Sequence, residues 1–385
     1  MKFRGYRREN GTVGIRNHVL IFPTVTCAAT VAEMISKQAP DSIFVSHPHG
    51  CGHLGKEEQH MIRAMSGFCG NPNVSGVLLV GLGCELITPE VLINELAKVN
   101  QRVESLSIQA LGGTTKSVEK GVELTRMLIE EAASIQQEEA DISELTIGTH
   151  CGGSDTLSGL TANPALGVAS DLLVKHGGTV ILTETPEMLG TEHILAIRAA
   201  NEEIKERILQ ITHATEERLK STGADIRGAD PSPGNIAGGL TTLEEKSLGA
   251  IRKGGTSSIN QVIEYAERPQ QSGLVIMDGP AHDIISNTGV IAAGAQMIAF
   301  TTGRGTPIGS PIAPVIKISS SNTIYQHMLD NIDINAGTIL ENESTLQSIG
   351  DDIFTEIIEV ARGKLVKAEL LGHREFAIHT IGPTV

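Results

Sequence analysis

Short apolar runs alternate with helical patterns along this chain, and most of them end on residues that can do chemistry. The run at 19–22 (VLIF) ends at Pro23 and is followed by a helical pattern over about 28–37. The run at 42–46 ends at His47, and the run at 77–80 ends at Gly81-Leu82-Gly83-Cys84, with a helical pattern over 89–99 after it. Later, 145–148 leads into Cys151-Gly152-Gly153-Ser154-Asp155, 180–183 into Glu184, 274–277 into Asp278-Gly279-Pro280, and 296–302 into Gly303-Arg304-Gly305. Apolar strands separated by helices predict α/β architecture, with mostly parallel sheets covered on both faces. Ligands of such sheets sit beyond the carboxyl ends of the strands. That rule gathers Cys27, His47, His49, Cys51, Cys84 and Glu85 on one rim if their strands share a sheet.

The length, 385 residues, suggests two domains. The polar, acidic stretch 136–144 (QQEEADISE) marks the expected boundary. The expectation is two three-layer, Rossmann-like α/β domains, 1–140 and 141–385. A charged helix is expected over 204–220 and a Gly/Pro-rich loop over 222–239.

The formal charge of −15 argues against nucleic acid or an anionic membrane as the main partner, because both require a basic surface. It leaves room for small anionic substrates at a locally positive site. No apolar run is long enough to span a bilayer, and the basic start MKFRGYRR lacks the apolar core of a signal peptide. Five cysteines, an odd number, fit a cytoplasmic protein with free thiols better than a disulfide framework.

Six motifs carry potential chemistry. His47-Pro48-His49-Gly50-Cys51-Gly52-His53 places nitrogen and sulfur ligands together, or is a His-rich surface turn. Gly81-Leu82-Gly83-Cys84-Glu85 exposes a thiol and a carboxylate at a strand end, or packs them in a turn. Cys151 to Asp155 packs a thiol, a hydroxyl and a carboxylate into five positions, although Ser154 could simply cap a helix. Cys27, Cys51, Cys84 and Cys151 all lie at or just past strand ends, and three or four such thiols could hold iron or an iron–sulfur cluster. Cys69 reads as structural. Glu184 and Glu187 follow a strand and could serve as base or metal ligand. The loop at 231–235 (PSPGN), with the capping threonines before Lys246, could receive a carboxylate or be a plain capping box. Arg304, between glycines, suits bidentate recognition of a carboxylate or sulfonate. No CxxC, P-loop or complete G-x-G-x-x-G occurs, which sets aside zinc ribbons and nucleotide-dependent enzymes.

Together these stretches resemble the altronate/galactarate dehydratase family of sugar-acid hydro-lyases over nearly the whole chain. The resemblance rests on Gly5-Tyr6-Arg7-Arg8 with 11–17 (GTVGIRN), Gly50-Cys51, Gly81 to Glu85, Cys151 to Asp155, Thr161-Ala162-Asn163-Pro164, 231–235, 243–249 and 301–307. Fused members of the family carry a small β-rich SAF-type domain ahead of the Gly-Tyr-Arg-Arg region. This chain starts at that region, so it looks like the large subunit of a two-chain enzyme. The His47-Pro48-His49 turn and the ending at 373–385 look closer to the sulfolactate sulfo-lyase branch.

The resemblance implies an oligomeric lyase dependent on Fe2+ or Mn2+, with an iron–sulfur cluster as a further option and a separate small SAF-type subunit as partner. The implied reaction is loss of water from a 2,3-dihydroxy acid to give a 2-keto-3-deoxy acid. The alternatives are loss of sulfite from (2R)-sulfolactate to give pyruvate, and a subunit without catalysis of its own. Strand-end placement and the matched motifs put His47, Cys51, Cys84 and Cys151 in the metal or cluster shell. Glu85, Asp155, Glu184 and Glu187 are the catalytic candidates, and Asn163, Asn235, Lys246 and Arg304 the substrate-binding ones.

Overall fold

The computed structural model describes residues 1–382 and Val385, so Pro383 and Thr384 of the ending noted above lie outside the described residues. The α/β expectation holds. Strands β3 (His18–Pro23), β4 (Ser42–Phe44), β5 (Val74–Gly81) and β6 (Val103–Ser107) form an all-parallel sheet in the order β4-β3-β5-β6. Strands β8 (Thr146–Gly152), β9 (Thr179–Leu182), β10 (Ile259–Ile263), β11 (Gly273–Met277), β12 (Met297–Thr302), β13 (Val315–Ser319) and β14 (Ile334–Asn335) form a second parallel sheet in the order β10-β11-β9-β8-β12-β13-β14.

The strands are apolar on both faces because both faces are covered. One face of the smaller sheet packs Val19, Ile21, Leu78 and Val80 against helices Ala29–Gln38 and Thr114–Ser134. Its other face, with Leu20, Phe22, Val77 and Leu79, shares one continuous core with Ile181, Val275, Ile298 and Phe300 of the larger sheet. Helices Lys56–Cys69 and Asp283–Ala292 fill the space between the sheets. The far face of the larger sheet packs on helices Ala162–Lys175 and Leu346–Ala361. Full burial of each large apolar side chain contributes roughly 1.5–3 kcal/mol.

Two segments carry elements that the sequence pattern did not signal. The acidic stretch at the expected boundary contains a strand, β7 (Glu138–Asp141), which pairs antiparallel with β1 (Lys2–Arg7). Charge complementarity favours the pairing: Lys2 meets Glu139, and Arg7 meets Glu138 and Glu144. β2 (Val13–Gly14) completes this three-stranded sheet. The expected loop at 222–239 contains two short helices, Ile226–Ala229 and Pro233–Ala237. Asp225 caps the first, and Ser232 with Asn235 forms a capping box on the second, where Pro233 suits the first helical position.

The chain leaves β8 for β9 by helix Ala162–Lys175 on one face of the larger sheet. It returns from β11, past β9 and β8, to β12 by helix Asp283–Ala292 on the other face. Connections that depart on opposite faces open a crevice at the carboxyl ends of these strands.

Candidate active site

That crevice is a cavity of about 750 Å3. Cys151 to Ser154 line it from the end of β8, Glu184 and Glu187 from β9, Pro280 to Asp283 from β11, and Arg304 and Gly305 from β12. The excursion between β9 and β10 roofs it with Asp230, Asn235 and Lys246.

At its floor lies a buried polar cluster. The Cys151 thiol donates to Glu187 Oε2 at 3.0 Å. The Lys253 ammonium donates to Cys151 Sγ at 2.9 Å and to Glu184 Oε2 at 2.5 Å, and stands 3.6 Å from Glu187 Oε2. The backbone N–H of Cys151 also donates to Glu184, at 3.2 Å. Lys246 lies 3.3 Å from Glu187 and donates to Asp230 at 2.8 Å. His150 Nε2 sits 3.4 Å from Glu184 and 3.1 Å from Asp283.

Local backbone geometry aims Glu184 inward. Its φ of 75° and ψ of 63° are left-handed, which costs a non-glycine residue on the order of 1–3 kcal/mol and is characteristic of functional sites. Thr185 fixes this turn: its hydroxyl donates to Asp278 at 2.6 Å and accepts from the Gly279 N–H at 3.1 Å.

The two carboxylates have unlike environments. Burial, reinforced by the charge of Glu187, pushes Glu184 above the usual carboxyl range. Burial opposes ionisation of Glu187 as well, but Lys246 and Lys253, with the Cys151 S–H bond, outweigh it and hold Glu187 low. Burial and the Glu187 charge push the Cys151 thiol well up. Burial alone would lower Lys253; Cys151, Glu184 and Glu187 raise it instead. Since the thiol stays protonated, the carboxylates keep Lys253 charged near neutrality. Carboxyls driven apart in this way are suited to distinct acid and base roles.

Cys151, Glu184 and Glu187 form a group that could hold a metal ion, with donor atoms within 4.8 Å of one another. A thiolate with two carboxylates is an acceptable donor set for iron, manganese or zinc. The Lys253 ammonium lies among the same donors, so an ion binding there displaces it.

Six of the twelve sequence-derived candidates line this cavity: Cys151, Glu184, Glu187, Asn235, Lys246 and Arg304. The amide of Asn235 is committed to Ser154 O and to its own capping box. The Arg304 guanidinium spends one donor on Gly234 O, at 2.9 Å, and has no other hydrogen-bond partner among the described residues. Asp155 and Asn163 line a neighbouring pocket instead. Asp155 accepts from Ser158 and Ser320. Asn163 accepts from Thr301 and donates to Gly249. Ser154 caps no helix; the following helix begins after Thr161.

His47, Cys51, Cys84 and Glu85 lie on the rim of the smaller sheet and do not join Cys151. Both ring nitrogens of His47 are used: Nε2 bonds Pro23 O at 2.7 Å, and Nδ1 accepts from the His49 N–H at 3.2 Å. Burial opposes ionisation of Glu85, but Gly83 N–H, Thr24 Oγ1 and Leu82 N–H donate to it and hold it below its ordinary range. It thereby ties its own turn. Lys253, His150, Asp230 and Asp283 escaped the sequence reading. His150 directly precedes a flagged cysteine, which was a usable signal; Lys253 sits in an unremarkable AIRKGG context.

Comparison with known proteins matches nearly the whole chain. Residues 142–384 match the family model "D-galactarate/Altronate dehydratase, C-terminal", and residues 5–133 match "D-galactarate dehydratase/Altronate hydrolase, second domain". The chain is 37% identical to the altronate dehydratase of Bacillus subtilis, over all of this chain and 78% of that protein. It is 38% identical to the galactarate dehydratase (L-threo-forming) of Escherichia coli, over 94% of this chain and 73% of the other. Identity to the (2R)-sulfolactate sulfo-lyase subunit beta of Chromohalobacter salexigens is 35%, over 98% of this chain and 96% of that subunit. The relatives are named as dehydratases and a sulfo-lyase, so the family is one of lyases. This chain belongs to the D-galactarate/altronate dehydratase family.

Proposed function

We propose that the chain eliminates water from a 2,3-dihydroxy sugar acid of the altronate or galactarate type, giving a 2-keto-3-deoxy acid. The observation that carries this reading is the Cys151–Glu184–Glu187–Lys253 cluster, opening on a strand-end cavity in a member of a dehydratase family. Arg304 and Lys246 bind the substrate carboxylate. Glu184, held above the usual carboxyl range by burial and the Glu187 charge, takes the proton from the carbon beside that carboxylate. Lys253 steadies Glu184 and carries positive charge to the floor as the enediolate forms. The proton taken up by Glu184 returns to the departing 3-hydroxyl, which leaves as water; the enol that remains tautomerises to the keto acid. The cofactor is Fe2+ or Mn2+, with an iron–sulfur cluster as its alternative form; bound, it supplies Lewis-acid stabilisation of the enediolate.

A second reading has one specific support, the match over 96% of a sulfo-lyase subunit. On that reading sulfite leaves from sulfolactate and the product is pyruvate. A small SAF-type chain is the proposed partner in either case, in an oligomer in the cytoplasm. Five free cysteines support that compartment, and no helix among the described residues is long and apolar enough to cross a membrane. We divide the chain near residue 140, supported by family models that end at 133 and begin at 142.

Anaerobic assay of altronate, galactarate and sulfolactate, with ferrous iron or manganese, tests the reading, both alone and with a SAF-type chain. Keto-acid formation from a sugar acid is the expected result. Sulfite release from sulfolactate alone selects the second reading, and no turnover under any of these conditions overturns both.

A further inference from the structure

We propose that a second cavity, on the rim of the larger sheet, binds the phosphate group of a small phosphorylated metabolite. This cavity, of about 520 Å3, falls within the roughly 300–1,000 Å3 range of small-molecule sites. It opens at the carboxyl ends of two strands: Glu264 and Tyr265 follow β10, and Asp278 and Gly279 follow β11. Such strand ends are where the ligands of parallel sheets sit. It lies beside the catalytic crevice and shares no lining residue with it.

Three cations converge on this cavity from two helices. Lys56 and Arg63 stand two turns apart on one face of helix Lys56–Cys69, with His60 between them. Arg218 comes from the last turn of helix Glu202–Ser221. None of the three forms an ion pair among the described residues. Arg63 spends only Nε, on Tyr265 O at 2.8 Å, and Arg218 only one nitrogen, on the Thr215 hydroxyl at 3.4 Å. Both guanidinium groups therefore keep donors for paired bonds to phosphate oxygens, and Lys56 adds a compact charge. The two carboxylates on the wall do not cancel this charge. Glu264 is paired with Arg207, and Asp278 accepts from the Thr185 hydroxyl. Three cations thus face one carboxylate that lacks a cationic partner. In a chain of formal charge −15, that local excess suits an anionic ligand.

The rings on the wall feel the same charges. Burial lowers His60 to about 4, and His379 and Arg63 add to the effect; burial lowers His379 to about 4, and Arg218 adds to it. Wall chemistry favours a phosphate ester over a bare ion. His60 stacks on Tyr265, with ring centroids 5.0 Å apart and planes at 21°, and Ile381 lines the cavity as well. The carbon skeleton of an ester covers apolar surface that a free phosphate leaves wet. The Asp278–Gly279 turn also reaches the catalytic floor, because Thr185, next to Glu184, bonds both residues. An occupant of the second cavity therefore touches the turn that fixes Glu184. Binding itself is independent of the proposed elimination and is read without turnover.

Glycerol 3-phosphate is titrated into the whole chain by isothermal calorimetry, with ionic strength held constant by sodium chloride. Saturable binding at one site is expected, with inorganic phosphate weaker and glycerol silent. The dissociation constant should rise at least tenfold in Lys56→Gln/Arg218→Gln. Both side chains are exposed, so the double variant should unfold at the parent's temperature when no ligand is present. Arg63→Gln should weaken binding in the same direction. Arg304→Gln, in the catalytic crevice, should leave it unchanged. No saturable binding, unchanged affinity in the double variant, or inorganic phosphate bound as tightly as the ester overturns the proposal. So does loss of binding in Arg304→Gln, which would place the phosphate in the catalytic crevice.

Discussion

The ammonium of Lys253 stands 2.5 Å from Glu184 Oε2 and donates to a carboxylate from a segment 69 residues away in sequence. Both residues are 1% exposed. A buried cation between two carboxylates and a thiol stabilises the site only as a complete set, because a charge left unpaired there costs far more than the pair contributes.

Lys253→Met should therefore destabilise the protein by about 3–5 kcal/mol, the range for breaking a buried ion pair. Glu184, Glu187 and Cys151 would then lack their resident cation. Manganese should stabilise the variant more than the parent, because in the parent the Lys253 ammonium competes with the ion for the same donors. Thermal unfolding with and without Mn2+ checks both expectations. Equal metal responses would show that Lys253 does not occupy the ion's place.

Glu184→Gln keeps the shape of the side chain and its bond to Lys253 but removes the base. The expected loss in kcat is about 10²–10⁴-fold, with KM nearly unchanged, since general-base catalysis acts in the transition state. Glu187→Gln should differ. Glu187 is held ionised by two lysines, so neutralising it should lower stability as well as rate. Steady-state kinetics paired with denaturant unfolding separates the two. Parallel behaviour of the variants would remove the distinction between base and counter-ion.

The strands were legible because a sheet covered on both faces is written as continuous apolar runs, and the rim residues because they follow those runs. The site was only half legible. Cys151, Glu184 and Glu187 sit at strand ends, whereas Lys253 reaches Cys151 from 102 residues away, in sequence that carries no local pattern. Dense polar motifs also mislead by their density. Glu85, Asp155 and Asn163 spend their oxygens inside the fold, and sequence cannot separate a carboxylate that ties its own turn from one that faces a cavity. Nor did it show that an acidic stretch would become β7, since that depends on a basic strand more than 130 residues earlier.

Asn73 shows how the two sheets are tied. Fully buried, it accepts from the N–H groups of Ile15 and Arg16 at 2.9 and 3.3 Å and donates to Gln296 O and Ile312 O at 2.8 and 2.9 Å. Asn73→Ala strips partners from several buried backbone groups at ~1 kcal/mol or more each. A loss of about 3–5 kcal/mol is expected, seen as a lower denaturant midpoint at unchanged slope. Asn73→Asp should not rescue it, because two carbonyls would then face a carboxylate. A loss below ~1 kcal/mol would mean that water replaces the side chain.

Stability should rise with pH between about 4 and 6.5, partly because of His47. Burial lowers this imidazole from 6.5 to about 4, and its Nε2 and Nδ1 are both bonded as the neutral form requires. In the unfolded chain it titrates near its ordinary value, so within this window the unfolded state binds the extra proton. The contribution is fully present above pH 6.5 and is lost as pH falls toward 4, with a slope near 1.4 kcal/mol per pH unit while the difference is one proton. His60, lowered to about 4 by burial and by His379 and Arg63, acts in the same direction. Denaturant unfolding from pH 7.5 down to 4.5 should show the decline, and His47→Asn should flatten it by up to one proton's slope. An unchanged slope in His47→Asn would show that the buried imidazole is not what makes the fold sensitive to acid.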